Sequence, residues 1–370
     1  MEYRTFGNTG VKVSALGFGA MRLPVKEDGA VDEAETIRMI RHAIDQGVNY
    51  VDTAYPYMNG TSELVVGKAL KDGYREKTYL ADKLPVWKIE SEEDFDKTLD
   101  EQLKKLDVES IDFYLLHALS RDRFEEKVKK FHLVDHMIQA KKDGKVKYIG
   151  FSFHDDYEVF QEIIDYTDAW DFCQIQYNFI NTDYQAGQKG LEYAAGKGLG
   201  VVVMEPLLGG RLAKLAPHVS EAFEDQKTDV ERALDFVWDQ KDVSLLLSGM
   251  STFKQVEDNL IYAGRSKKGM LSDAERAAYE KAKKVFDEMS MVGCTACEYC
   301  MPCPFGLNIP ELFKTYNSYG LRGKDHAKKE YEKLETKADA CQACRRCEKE
   351  CPQHIEISEV MKTIHTLFQE

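Results

Sequence analysis

The side chains with the most chemistry to offer in this chain are thiols. Of nine cysteines, eight fall after position 290, in two tight runs. The first run, CTACEYCMPCP, holds Cys294, Cys297, Cys300 and Cys303; the second, CQACRRCEKECP, holds Cys341, Cys344, Cys347 and Cys351. A disulfide framework scatters its cysteines more widely, so runs like these point to reduced, metal-ligating thiolates. Tetrahedral zinc suits CxxC pairs, and iron-sulfur clusters suit longer runs that end in Cys-Pro. The ninth, Cys173, opens an apolar run and reads as a buried thiol.

A second constellation lies earlier. Asp52, Tyr57, Lys83 and His117 sit at or just beyond the ends of short apolar runs, in VDTAYPY, ADK and FYLLH. A phenol with a pKa of about 10 is a poor acid until a nearby cation stabilises its phenolate. Lys83 is such a cation, and Asp52 is the counter-ion that keeps it charged. His117 can donate a hydrogen bond to a substrate oxygen, and Tyr57 can then give that oxygen a proton.

For these side chains to share a chamber, the runs carrying them must be strands of one sheet. Short β-branched runs alternate with longer amphipathic segments, the pattern of βα units around a parallel sheet. Strands are expected at Val13 to Gly19, Asn49 to Thr53, Thr78 to Lys83, Ile111 to His117, Tyr148 to Phe153, Phe172 to Tyr177, Gly200 to Met204 and Val243 to Gly249. The first helix opens with a capping box, Asp32 and Glu35, and carries Ile37, Ile40 and Ile44 before Gly47 ends it. The fourth passes Phe131, Val134 and Ile138 to Gly144, and the sixth ends near Gly196 and Gly198. A further helix over 272–288, with its own Ser-x-x-Glu start, is expected to pack on the barrel. The fold class is therefore α/β, a (β/α)8 TIM barrel over 1–290, with a small cysteine domain over 291–370. Chemistry in such barrels sits at the C-terminal strand ends, where Asp52, Lys83 and His117 fall.

In residue order and strand placement, VDTAYPY, ADK and LLH resemble the Asp, Tyr, Lys and His tetrad of the aldo-keto reductase family, over about residues 1–290. The resemblance implies reduction of an aldehyde or ketone, or oxidation of the alcohol, by hydride exchange with NADPH or NADH at the barrel mouth. It implies that Ser152 and Gln174 hydrogen-bond the nicotinamide carboxamide, with Met204, Pro206 and Leu207 beside the cofactor. It also implies that Gly249, Ser251, Lys254, Gln255 and Asn259 form the adenosine-phosphate loop. Several positions depart from the family pattern. Phe153 stands where an Asn usually follows the serine, and Met204 where an aromatic usually stacks on the ring. The loop GMSTFKQVEDN offers a 2'-phosphate only Lys254, opposed by Asp258. The choice between NADPH and NADH stays open on these residues.

The second cysteine run has the CxxCxxCxxxCP spacing and resembles the bacterial ferredoxins. That resemblance implies a ferredoxin-like domain with two 4Fe-4S clusters whose fourth ligands cross between runs. Cys351 would complete Cys294, Cys297 and Cys300, and Cys303 would complete Cys341, Cys344 and Cys347. Hydride carries two electrons whereas each cluster passes one, so direct exchange between nicotinamide and clusters needs a mediator. Three readings follow. The clusters are structural or redox-sensing beside an ordinary reductase; or a flavin at the barrel mouth links them to a ferredoxin-type electron carrier; or the chain is a non-catalytic iron-sulfur carrier or sensor. Between the runs, Lys324, Lys328, Lys329, Lys333 and Lys337 are nearly cancelled by Asp325, Glu330, Glu332, Glu335 and Asp339, as on a solvated helix face. Tyr55, Trp87 and Phe179 are candidates for an apolar substrate pocket.

Composition narrows the partners. With 370 residues, 43% hydrophobic and 31% charged, the chain can bury a barrel and one appendage. A net charge of -14 repels phosphate backbones, which argues against nucleic acid. The start, MEYRTFGNTG, lacks a basic and apolar leader, and no apolar run approaches the roughly 20 residues of a membrane span, so no membrane partner and a cytoplasmic location are expected.

Overall fold

The computed structural model describes residues 1–369. The chain divides into two compact units: Met1–Pro206 with Glu231–Leu271, and Leu207–Val230 with Ser272 onward.

In the first unit, Tyr3–Thr5 (β1) and Lys12–Ser14 (β2) form an antiparallel hairpin. Eight parallel strands then close a barrel: Leu16–Gly19 (β3), Tyr50–Asp52 (β4), Tyr79–Leu84 (β5), Ile111–Leu119 (β6), Val146–Phe153 (β7), Phe172–Gln176 (β8), Gly200–Met204 (β9) and Leu245–Gly249 (β10). β10 pairs with both β9 and β3, which removes every edge. The single strand expected from Val13 to Gly19 is two elements. Ala15 gives its N–H to Glu2 O at 2.9 Å, and the Ser14 hydroxyl donates to Leu16 O at 2.7 Å, so the chain turns from the hairpin into the barrel there.

That hairpin closes the N-terminal end of the barrel. Phe6 is fully buried among Tyr50, Phe113, Phe172, Val202 and Leu245, with its ring 4.7 Å from that of Phe113. Gly200 leaves room for it, since a Cβ there would lie 2.5 Å from the Phe6 ring. With one end plugged by aromatics, the opposite strand ends are left for chemistry.

The helices between strands are Glu33–Asp45 (α1), Ser62–Ala69 (α2), Glu93–Leu106 (α3), Leu133–Lys142 (α4), Tyr157–Asp165 (α5), Gly187–Gly196 (α6), Asp229–Asp239 (α7) and Phe253–Gly264 (α8). Asp32 caps α1 by accepting from Glu35 N at 3.1 Å, but the Glu35 carboxylate turns to Arg38 at 2.7 Å, so only half of the expected box forms.

The second unit is built on Asp273–Met289 (α9), Ile309–Arg322 (α10), Lys324–Lys333 (α11) and Ile357–Gln369 (α12). A complete capping box between Ser272 and Glu275 opens α9. Gly320 lets α10 cross the end of α9, because a Cβ there would meet Met289 O at 2.0 Å. Tyr279 of α9 packs edge-on against Phe223, ring centroids 5.1 Å apart. α9 groups with the cysteine region in the second unit, as does the segment from Leu207 to Val230. Among the described residues no helix is long and apolar enough to cross a membrane.

Candidate functional site

Asp52 ends β4, Lys83 is the penultimate residue of β5, and His117 lies near the end of β6. Parallel registry brings these ends together. The Lys83 ammonium is fully buried and donates to Asp52 Oδ1 at 2.6 Å and to Thr53 O at 2.7 Å. It stands 4.8 Å from the centroid of the Tyr57 ring, which in turn meets the His117 ring edge-on at 5.9 Å. All four expected residues thus share one chamber. The turn that delivers Tyr57 runs through Met58, Asn59 and Gly60 at φ of 50°, 54° and 81°, reversing the chain at once after the phenol.

Burial and charge act differently on Asp52 and on His117. Burial raises the Asp52 carboxyl, and Lys83 opposes that by charge and hydrogen bond. Asp52 Oδ2 is buried and without a protein hydrogen-bond partner. Burial, reinforced by Lys83, Arg123 and His154, holds His117 well below its ordinary 6.5, so the imidazole is neutral near pH 7. Arg123 and His154 were not singled out from sequence. Arg123 donates to Ala118 O at 2.9 Å and lies 5.0 Å over the Trp87 ring, which is itself 5.2 Å from His117. Of the three aromatic candidates, Trp87 therefore stands beside the site. Tyr55 instead bonds Glu101 and Lys88, and Phe179 is buried against Phe236. Their local sequence carries no sign of this, because direction is set by partners distant in the chain.

A buried network fixes the Lys83 backbone. Lys83 N donates to Asp82 Oδ1 at 2.8 Å, while Gln102 Nε2 reaches Lys83 O, Asp82 Oδ2 and Glu63 Oε1 within 3.0 Å. Tyr114 donates to Gln102 Oε1 at 2.6 Å, which orients the amide. Burial and the neighbouring Glu63 push the Asp82 carboxyl well up.

The residues expected around a nicotinamide ring lie on adjacent strands. Ser152 pairs in register with Gln174, and Gln176 with Met204. Ser152 Oγ accepts Ala118 N–H at 2.7 Å and keeps its own proton to give. Gln174 donates weakly to Met204 Sδ at 3.5 Å, and its Oε1 is buried without a protein partner. An amide acceptor and a hydroxyl donor in a dry wall fit a carboxamide. In the loop after β10, Ser251 N donates to Gln255 Oε1, its hydroxyl donates to Arg22 O, and Asn259 donates to Ser248 Oγ. Lys254 is tied to Asp258 at 2.9 Å, as the opposed charges suggested. Arg22, from outside the loop's own sequence, lays its aliphatic stem beside it: a Cβ at Gly249 would touch that side chain at 3.4 Å.

The eight clustered cysteines line two separate pockets. One is walled by Cys294, Cys297, Cys300 and Cys351, the other by Cys303, Cys341, Cys344 and Cys347. Each set takes three thiols from one run and one from the other. The two runs share a backbone pattern: Ala296 and Glu298 at φ 52° and 67° match Ala343 and Arg345 at 51° and 57°. Left-handed residues alternate along both loops, the backbone pattern from which anion nests are built. Ala296 N–H points to Cys294 Sγ at 3.4 Å. Burial pushes the Cys300 and Cys351 thiols up, and Cys347 up to about 11, so metal must displace protons to hold them as thiolates. Among the described residues no three such ligands converge as one ion requires. Four thiols walling each pocket match the four-cysteine ligation of an iron-sulfur cubane.

A closed parallel barrel with a tyrosine, a buried lysine-carboxylate pair and a neutral histidine at its strand ends, continued into a cysteine module, defines an oxidoreductase with iron-sulfur capacity. Residues 15–268 match the aldo/keto reductase family model, and residues 290–355 match that of a 4Fe-4S dicluster domain. The chain belongs to the aldo/keto reductase family, whose members use NAD(P)H. It is 29% identical over 287 residues to L-galactose dehydrogenase of Arabidopsis thaliana, covering 70% of this chain and 87% of that one. A shorter match, 38% over 154 residues, is to probable aldo-keto reductase 1 of Glycine max, covering 40% of this chain and 43% of the other. Among solved structures it resembles the holo form of aldo-keto reductase AKR11C1 from Bacillus halodurans, at 25% identity and a TM-score of 0.65, covering 76% of this chain and 96% of that one.

Proposed function

We propose that the barrel reduces an aldehyde or ketone, or oxidises the corresponding alcohol, with NADPH or NADH, and that Tyr57 is the general acid. The observation that carries this is the buried Lys83 ammonium, paired with Asp52 at 2.6 Å and set 4.8 Å from the Tyr57 ring. Neutral His117 donates a hydrogen bond to the carbonyl oxygen and fixes its position. Tyr57 gives that oxygen its proton, and Lys83 stabilises the phenolate left behind. Asp52 holds Lys83 charged in a dry setting. Ser152 and Gln174 orient the nicotinamide carboxamide, Met204, Pro206 and Leu207 pack beside it, and Gly249, Ser251, Lys254, Gln255, Asn259 and Arg22 hold the phosphate end. The bound nicotinamide supplies the hydride. The Arabidopsis relative is named for dehydrogenating L-galactose, so sugar hydroxyls belong in the substrate panel. Tyr57→Phe should lower kcat/KM by about 10²- to 10⁴-fold while nicotinamide binding by fluorescence is unchanged. Wild-type turnover in that variant would refute the assignment.

The two cysteine pockets favour a companion reading, in which the second unit carries two 4Fe-4S clusters that exchange single electrons with a ferredoxin-type carrier in the cytoplasm. Cys344 is the exposed member of its set and marks the face for that exchange. A flavin is the mediator needed if these electrons reach the nicotinamide. Anaerobic purification with iron, acid-labile sulfide, flavin and nicotinamide measured in one sample tests this, with about eight irons per chain expected for two cubanes.

A further inference from the structure

The segment that follows β9, EPLLGGRLA, passes at Leu207 into the unit that holds the cysteines. Within that unit Gly209, at φ 62°, approaches the first cysteine run so closely that a Cβ would lie 1.9 Å from Thr295 O. No side chain fits there, and the left-handed backbone excludes most residues in any case. Two positions on, Arg211 Nη2 donates to Ser290 Oγ at 2.8 Å and Nη1 to Val292 O at 3.4 Å. Its guanidinium lies 4.8 Å over the Phe286 ring, which shields it from solvent on one side. The contacts at Val292 and Thr295 flank Cys294, a wall residue of the first pocket.

We propose that Arg211 is a positioning residue of the first cluster, anchoring the turn that presents Cys294 and, as a half-buried cation beside it, biasing that cluster toward its reduced state. This rests on the reading that the pocket holds a 4Fe-4S cluster. Reduction adds one electron and hence one negative charge to the cluster. A fixed guanidinium nearby stabilises the reduced form more than the oxidised one and raises the potential. Arginine suits the task because it stays protonated even where burial lowers its pKa, as it does here. Glu298, the charged residue on the wall of the same pocket, is exposed, so solvent screens its opposing effect. In the second pocket the charged wall residue is Arg345, which is also exposed.

The experiment is an EPR-monitored redox titration of the full chain, purified anaerobically, as wild type, Arg211→Met and Arg211→Lys. Cys297→Ser identifies which signal belongs to the first cluster. In Arg211→Met the first potential should fall by at least tenfold in the reduction equilibrium, about 59 mV for one electron. The second should stay put, and Arg211→Lys should restore part of the shift. Loss of only the first signal in Arg211→Met, with the second intact, likewise supports the assignment. Two full signals at wild-type potentials in Arg211→Met, or equal shifts of both, would overturn it. If wild type itself shows no cluster signals, it is the iron-sulfur reading that fails.

Discussion

Lys83 and His117 show how one chamber keeps one charge and refuses another. The lysine is fully buried yet has an Asp52 oxygen at 2.6 Å and a carbonyl at 2.7 Å, so its charge is compensated. The histidine faces that ammonium with Arg123 and His154 nearby and is held neutral. The consequence for stability has a definite sign. Below pH 6.5 the unfolded chain takes up a proton at this imidazole that the folded chain refuses, so stability present above 6.5 is lost as pH falls. The loss is about 1.4 kcal/mol per pH unit. His117→Gln removes the term. Urea unfolding of the barrel transition at pH 7.5 and 5.5 should therefore show the variant gaining about 1 kcal/mol relative to wild type at the lower pH. A pH-independent difference would mean the imidazole is not held neutral. The tetrad itself was legible because its residue types follow apolar runs in a fixed order. Arg123, His154 and Arg22 were not, because nothing in their local sequence marks them and their partners lie on other strands and loops.

The element that aims His117 is an irregular strand. β6 runs to Leu119, two residues beyond the expected end, and its register with β7 shifts between Leu116 and Leu119. Ala118 sits inside the shift at φ 55°, a conformation that costs an alanine roughly 1–2 kcal/mol. Its N–H goes to Ser152 and its carbonyl to Arg123, so the bulge is held from both sides. Bulges of this kind re-aim side chains beside active sites. A β-branched residue cannot take this backbone, so Ala118→Val should lower kcat more than it changes KM for the nicotinamide. Ala118→Gly should keep activity and stability within about 1 kcal/mol, because relief of strain offsets lost burial and added chain entropy. Wild-type kcat in Ala118→Val would show that the bulge does not position His117. Sequence periodicity located this strand from its apolar run but could not register the bulge, since alanine gives no sign of a left-handed residue. The same blindness split the expected first strand into hairpin and barrel, where side-chain hydrogen bonding at Ser14 decided the break.

At the scale of the whole molecule, the grouping of 207–230 and α9 with the cysteine region rests on Gly209, Gly320 and Arg211, whose roles depend on close backbone approach rather than on hydrophobic pattern. Pattern reading therefore found the barrel and the cysteine runs and missed how the linking segments were shared. The crossed arrangement of the thiols is different in kind, because the resemblance to the bacterial ferredoxins implied it and the two pockets are lined by the same sets of four. It has a sharp consequence for assembly. If each cluster draws its fourth ligand from the distant run, a substitution at Cys351 must act on the first cluster and one at Cys303 on the second. Cys351→Ser should then weaken or abolish the same EPR signal as Cys297→Ser, and Cys303→Ser the same signal as Cys344→Ser. Pairing by run predicts the reverse grouping, with Cys303→Ser acting like Cys297→Ser. Because each variant leaves one intact pocket, the surviving signal reports that the unit still folds, and which signal survives decides between the two arrangements.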